Sequence, residues 1–140
     1  MQLSIRNQFP GTVVSVASGD AMSAVKVRLS GGQEVTSAIT AEAARDLGLA
    51  EGTAVRALVK STEVAVATGE VDDVSIRNRV PGVVASVQHG SVMSTVKITL
   101  RSGEVLTAAI TRDAAEDLKL SAGASVTALV KSTEVSLAVD

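Results

Sequence analysis

The sequence contains no cysteine, no tryptophan and no tyrosine, with a single phenylalanine, Phe9, and a single histidine, His89. Each scarcity removes a class of function. Without cysteine there is no disulfide framework and no thiolate metal site. With one histidine and no thiol, acid–base and covalent catalysis have few candidate groups. No zinc pattern, phosphate loop or nucleophile–histidine–acid set occurs, so the reading is of a protein that is not an enzyme. One phenylalanine and a net charge of −2, with acids and bases interspersed, supply neither the stacking platform nor the basic tract of a nucleic-acid binder. There is no run of about 18 apolar residues to span a membrane. The opening MQLSIRNQ lacks the apolar segment and basic leader of a signal peptide. These absences together suggest a soluble, cytoplasmic chain.

What is present is aliphatic. Apolar residues make up 46% of the 140 positions, mostly Val, Ala, Leu and Ile. Each larger side chain contributes about 1.5–3 kcal/mol when buried. A unit of roughly 65 such residues would be marginal alone, which predicts association between copies.

The copies are visible. A shift of 71 aligns the sequence on itself without gaps: SIRNQFPG meets SIRNRVPG, AMSAVKVRL meets VMSTVKITL, TSAIT meets TAAIT, and ALVKSTEV meets itself. The reading is of a first domain at 1–68, a linker at 69–73 and a second domain at 74–140. The linker is short and polar, so the halves should be neighbours. A long period present only twice argues for two domains rather than a solenoid.

Within each half the period is two. Val25, Val27 and Leu29 alternate with Lys26 and Arg28, and Val96, Ile98 and Leu100 repeat the pattern. TVVSVAS, EVTSAIT, TAVRALVK and EVAVA read as further strands. Pro10-Gly11 and Gly31-Gly32 read as turns. AEAARDLGL at 41–49 breaks the pattern, with helical spacing, Thr40 as N-cap and Gly48 as C-terminal stop. In the second copy Lys119 replaces that glycine, which weakens the stop signal. Five strands with a short helix between the third and fourth predict an all-β fold of two tandem OB-like Greek-key β-barrels, one per half.

The polar residues recurring in equivalent places are Ser4, Arg6, Thr40, Lys60 and Ser61, with Ser75, Arg77, Thr111, Lys131 and Ser132. Arginine brings a fork of donors, lysine a point charge, and the hydroxyls further hydrogen bonds. One Arg and one Lys would balance a dianion. The same residues also suit plain structural roles: a solvated arginine, a helix cap, a hairpin turn at Lys60-Ser61-Thr62. His89 stands where the first half has Ser18, and reads as a surface residue. Glu63 and Glu134 either brace the nearby lysines or end strands in solvent. Asp72-Asp73 reads as solvated linker.

Taken as an ensemble, SIRN with its Pro-Gly, MSAVKV, AIT before a helix, and LVKSTEV resemble the molbindin family, built from Mop domains, in its two-domain arrangement. The resemblance covers nearly the whole chain, twice. It implies an OB-type barrel per Mop domain and binding of molybdate, with tungstate as an alternative ligand, at domain and subunit interfaces. It implies a homotrimer of two-domain chains with a role in cytoplasmic molybdenum storage or homeostasis. Similar units also occur in a molybdate-responsive regulator and in a molybdate importer. The absence of DNA-binding helices and of an ATPase motif here favours the free-standing role over a regulatory or protein-interaction module. Carried over by position, the interface site falls on the ten recurring residues above. A second site, near a threefold axis, falls on Met22, Ser23 and Lys26 and on Met93, Ser94 and Lys97. Many members carry Asn at positions 23 and 94, and Ala-Pro where this chain has Ser-Thr after the late lysine.

Overall fold

The computed structural model describes residues 1–140. The chain forms β1 (Asn7–Ser18), β2 (Met22–Leu29), β3 (Glu34–Thr40), α1 (Ala41–Asp46), β4 (Ala54–Val59) and β5 (Ala65–Ala67). The second repeat gives β6 (Asn78–His89), β7 (Met93–Leu100), β8 (Val105–Thr111), α2 (Arg112–Asp117), β9 (Ser125–Val130) and β10 (Ser136–Ala138). A short 3₁₀ turn, Ser61–Glu63 or Ser132–Glu134, precedes the last strand of each repeat. The all-β class, the five strands and the placement of the helix are those that the alternation predicts. In β2, Ser23, Val25, Val27 and Leu29 are buried while Met22, Ala24, Lys26 and Arg28 are exposed, as a period of two requires.

The helices end alike despite their different C-terminal residues. Thr40 and Thr111 each accept a bond from the third residue on, Ala43 or Ala114. Gly48 is left-handed at φ +63°, and Lys119 takes the same conformation at φ 53°. The fold imposes the stop on a residue that does not favour it.

Pro10-Gly11 is not a turn but lies inside β1, and Pro81-Gly82 lies inside β6. The Pro10 carbonyl accepts the Ser30 amide, just past the end of β2. In an antiparallel strand N–H and C=O of one residue face the same side, so the missing proline donor falls where β2 has already ended. A side chain at Gly11 would stand 2.7 Å from the Arg28 carbonyl oxygen. The glycine allows β1 to pass close to β2.

The strands form two antiparallel sheets, each coiled into a half-barrel, with orders β10-β4-β1-β2-β3 and β5-β9-β6-β7-β8. The last strand of each repeat has left its own sheet and completes the other. Ser136–Ala138 pairs with Leu58–Arg56, and Ala65–Ala67 pairs with Leu129–Thr127. The two tandem units expected from the sequence are present, one built on each half, and they exchange their last strands reciprocally. Periodicity along a strand says which face is buried, not which neighbour it pairs with. The interior is correspondingly shared. A single apolar cluster runs through both repeats, and Phe9, Leu29, Val35 and Val59 meet Val80, Leu100, Leu106 and Val130 around one small cavity.

Candidate oxyanion site

The Lys60-Ser61-Thr62 stretch is the crossover on which the chain leaves one sheet for the other, so it is not a hairpin. Register places SIRN beside it. The β1–β4 ladder ends at Asn7 opposite Val59, so Arg6 and Lys60 are the next residues outward on the two strands. The β6–β9 ladder ends at Asn78 opposite Val130, which sets Arg77 beside Lys131 in the same way. An arginine and a lysine thus lie just beyond the last paired residues of each ladder. All four are exposed, and none joins an ion pair: the three salt bridges are Arg28–Glu34, Arg56–Asp140 and Arg112–Glu116. Glu63 and Glu134 do not brace the lysines. Like charges on adjoining strand ends, with no carboxylate partner, repel, and an anion between them relieves this.

The neighbouring asparagines fix this geometry. Asn7 is 2% exposed and Asn78 4%. Asn7 donates from Nδ2 to the Thr107 carbonyl and accepts the Thr107 amide at Oδ1, both at 2.8 Å. Asn78 makes the same pair with Thr36, also at 2.8 Å. Each asparagine therefore closes the open edge of the other repeat's third strand, as a ladder neighbour would. These residues were not among those singled out from the sequence; their signal was recurrence within SIRN itself.

The remaining predicted residues divide. Ser4 and Ser75 are exposed, just ahead of Arg6 and Arg77, while Ser61 and Ser132 are half-buried in the crossover turns. Thr40 ends β3, which packs against the crossover turn at Ser132, and Thr111 ends β8, which packs against the turn at Ser61. The structure therefore associates Arg6, Lys60 and Ser61 with the strand carrying Thr111, not the one carrying Thr40. Met22 and Lys26 share the outer face of β2, as Met93 and Lys97 share that of β7. Ser23 and Ser94 point to the opposite, buried face and bond to Ser18 Oγ at 2.8 Å and His89 Nδ1 at 2.7 Å. Lys97 Nζ donates to Thr107 Oγ1 at 2.9 Å. The larger clefts of the chain lie elsewhere, so the cation pairs face solvent in the isolated chain.

The TOBE domain family matches residues 3–66 and again 74–137. The chain belongs to that family, with two TOBE domains in tandem. It is 43% identical over 139 residues to the molybdenum-pterin-binding protein MopB of Rhodobacter capsulatus, covering 99% of this chain and 52% of that protein. It is 37% identical over 140 residues to the molybdenum transport protein ModE of Herbaspirillum seropedicae, again covering 99% and 52%. The chain thus spans about half the length of these curated relatives. A crystal structure of the cytoplasmic molybdate-binding protein ModG, with molybdate bound, superposes with a TM-score of 0.97 at 35% identity, covering all of both chains. The TOBE pair is thus similar to ModG from end to end.

Proposed function

We propose that this tandem TOBE chain reversibly binds molybdate, with tungstate as a competing ligand, and performs no chemistry on it. The observation that carries this reading is the unpaired Arg–Lys couple beside each crossover, repeated at equivalent positions, in a chain that matches molybdate-bound ModG over its whole length. Molybdate is a tetrahedral dianion at neutral pH, and one Arg with one Lys neutralises it. In this reading Arg6, Lys60, Ser61 and Ser4 form one wall and Arg77, Lys131, Ser132 and Ser75 another, with Thr40 and Thr111 at the adjoining strand ends. Charge-assisted hydrogen bonds in a partly dry seam are the strong kind. Because each wall faces solvent in the single chain, the seam needs a second surface. A homotrimer in the cytoplasm, serving molybdenum storage or homeostasis, supplies it. Exposed Met22, Val92, Met93 and Val105 are consistent with such packing. Met22 with Lys26 and Met93 with Lys97 form the outer faces available to a further site on a threefold axis; Ser23 and Ser94, turned inward, would serve it only as support.

Equilibrium dialysis against molybdate, with sulfate as control, tests the reading. Arg6→Ala with Arg77→Ala is expected to abolish binding at both walls while circular dichroism stays unchanged; undiminished stoichiometry refutes the assignment. The similarity to ModE over 99% of the chain favours a second reading, in which these two domains sense molybdate for a regulator. Both readings require binding. An unfolding temperature unmoved by millimolar molybdate sinks both in favour of a protein-interaction module.

A further inference from the structure

We infer that the two walls are unequal, and that Ser37 and Arg79 are positioning residues that preorganise the wall of Arg77, Lys131 and Ser132. The inference rests on the oxyanion reading above and extends it to a difference between the repeats.

One latch exists in only one copy, and a second is threefold there and single in the other. Ser37, fully buried on β3, donates its hydroxyl to the Val135 carbonyl, at the end of the crossover turn that carries Lys131 and Ser132. Its counterpart on β8 is Ala108, also fully buried, which has no hydroxyl to offer Val64 behind Lys60 and Ser61. Arg79 is the second latch. Its guanidinium donates to the carbonyls of Ile76 at 3.0 Å, Val71 at 3.0 Å and Val74 at 2.6 Å. These carbonyls flank Ser75 and precede Arg77, so a planar fork holds the whole approach to the second SIRN. At the equivalent position the first copy has Gln8, which donates only to Ile5 at 2.8 Å and whose oxygen is taken by Arg56 at 2.6 Å.

The consequence is one wall latched at both of its segments, and one whose turn has no such latch and whose SIRN approach is held by the single Gln8 bond to Ile5. Ligand meeting the second wall finds its donors in place. Ligand meeting the first must also order the turn and the SIRN approach, which weakens binding. With a typical net hydrogen bond changing an equilibrium by roughly three- to tenfold, two latches separate the walls by about ten- to a hundredfold in molybdate affinity.

The test uses the full chain in two single-wall backgrounds, Arg6→Ala and Arg77→Ala, titrated calorimetrically with sodium molybdate. The Arg6→Ala protein should bind at least tenfold more tightly. Ser37→Ala, and separately Arg79→Gln, should weaken binding roughly three- to tenfold in that background and leave the Arg77→Ala background within twofold. Ala108→Ser should tighten the Arg77→Ala background. Equal affinities in the two backgrounds, or equal losses from Ser37→Ala in both, overturn the inference while leaving molybdate binding intact. Amide exchange without ligand provides a second readout. Residues 131–135 should exchange more slowly than 60–64, and Ser37→Ala should erase the difference; equal protection in the parent chain overturns the inference whatever the titrations give. Absence of molybdate binding in the parent chain brings down the oxyanion reading itself, and the inequality of walls with it.

Discussion

Asn7 lies buried against a strand of the other repeat and satisfies both polar groups of the Thr107 backbone with one amide. Replacement by alanine leaves a backbone donor and acceptor at a partly buried edge without partners. We expect Asn7→Ala or Asn78→Ala to cost about 2–4 kcal/mol in denaturant melts, since each lost partner at such a site costs about 1–3 kcal/mol. A loss below about 0.5 kcal/mol would mean that water replaces the amide. Lys119 makes the opposite case. Its left-handed backbone disfavours any side chain, whereas Gly48 fills the same place freely. Lys119→Gly should therefore stabilise the chain by about 0.5–1 kcal/mol, visible as a raised unfolding midpoint. At this scale the sequence was partly legible. Recurrence marked Arg6 and Lys60 as candidates, but it did not say that they adjoin, because adjacency comes from the β1–β4 register. The bonds of Asn7 reach a residue 100 positions away, and nothing local announces them.

Among the elements, the turns at Gly31 and Ser102 meet across the pseudo-twofold axis that relates the repeats. A Cβ on Gly31 would stand 2.1 Å from that of Ser102. Equivalent positions meet there, and the space holds one side chain, not two. Gly31→Ser should cost about 1–3 kcal/mol through overpacking. Adding Ser102→Gly should restore most of the loss, and a double-mutant cycle without coupling would refute the contact. Gly31-Gly32 was readable as a turn; its tight contact was not, because only the folded pairing of the repeats creates it. Pro10-Gly11 misled for a related reason: the dipeptide signals a turn locally, and strand crowding against Arg28 decided otherwise. On α2, the Arg112 guanidinium bonds to Glu116 at 2.7 Å and, with its charge, holds that carboxyl below its usual 4.5. A depressed carboxylate contributes stability above its unfolded value, and the contribution is lost as pH falls through the folded one. The part of the Arg112→Ala destabilisation owed to Glu116 should therefore vanish in strong acid, leaving only that of the Arg112 bond to the Gly90 carbonyl; a gap that widens on acidification would contradict the pairing.

The molecule as a whole is one cooperative unit despite its two sequence repeats, because the apolar cluster is common and each sheet lacks a strand without the other repeat. Heat or denaturant should produce a single transition, with calorimetric and van't Hoff enthalpies equal. Two separable transitions would show that the exchanged strands carry little energy. The alternating pattern made strand number and helix position legible, and the gapless repeat made the duplication plain. Which sheet β5 and β10 join was hidden, since short strands of three residues, Ala-Val-Ala and Ser-Leu-Ala, carry too little pattern to choose a partner. The exchange has a further consequence for dilute protein. A lone repeat would have to borrow its fifth strand from a second molecule, and would dissociate as that molecule became scarce. Tethering the lender through residues 68–73 makes the loan internal, at an effective concentration in the millimolar range that no dilution alters.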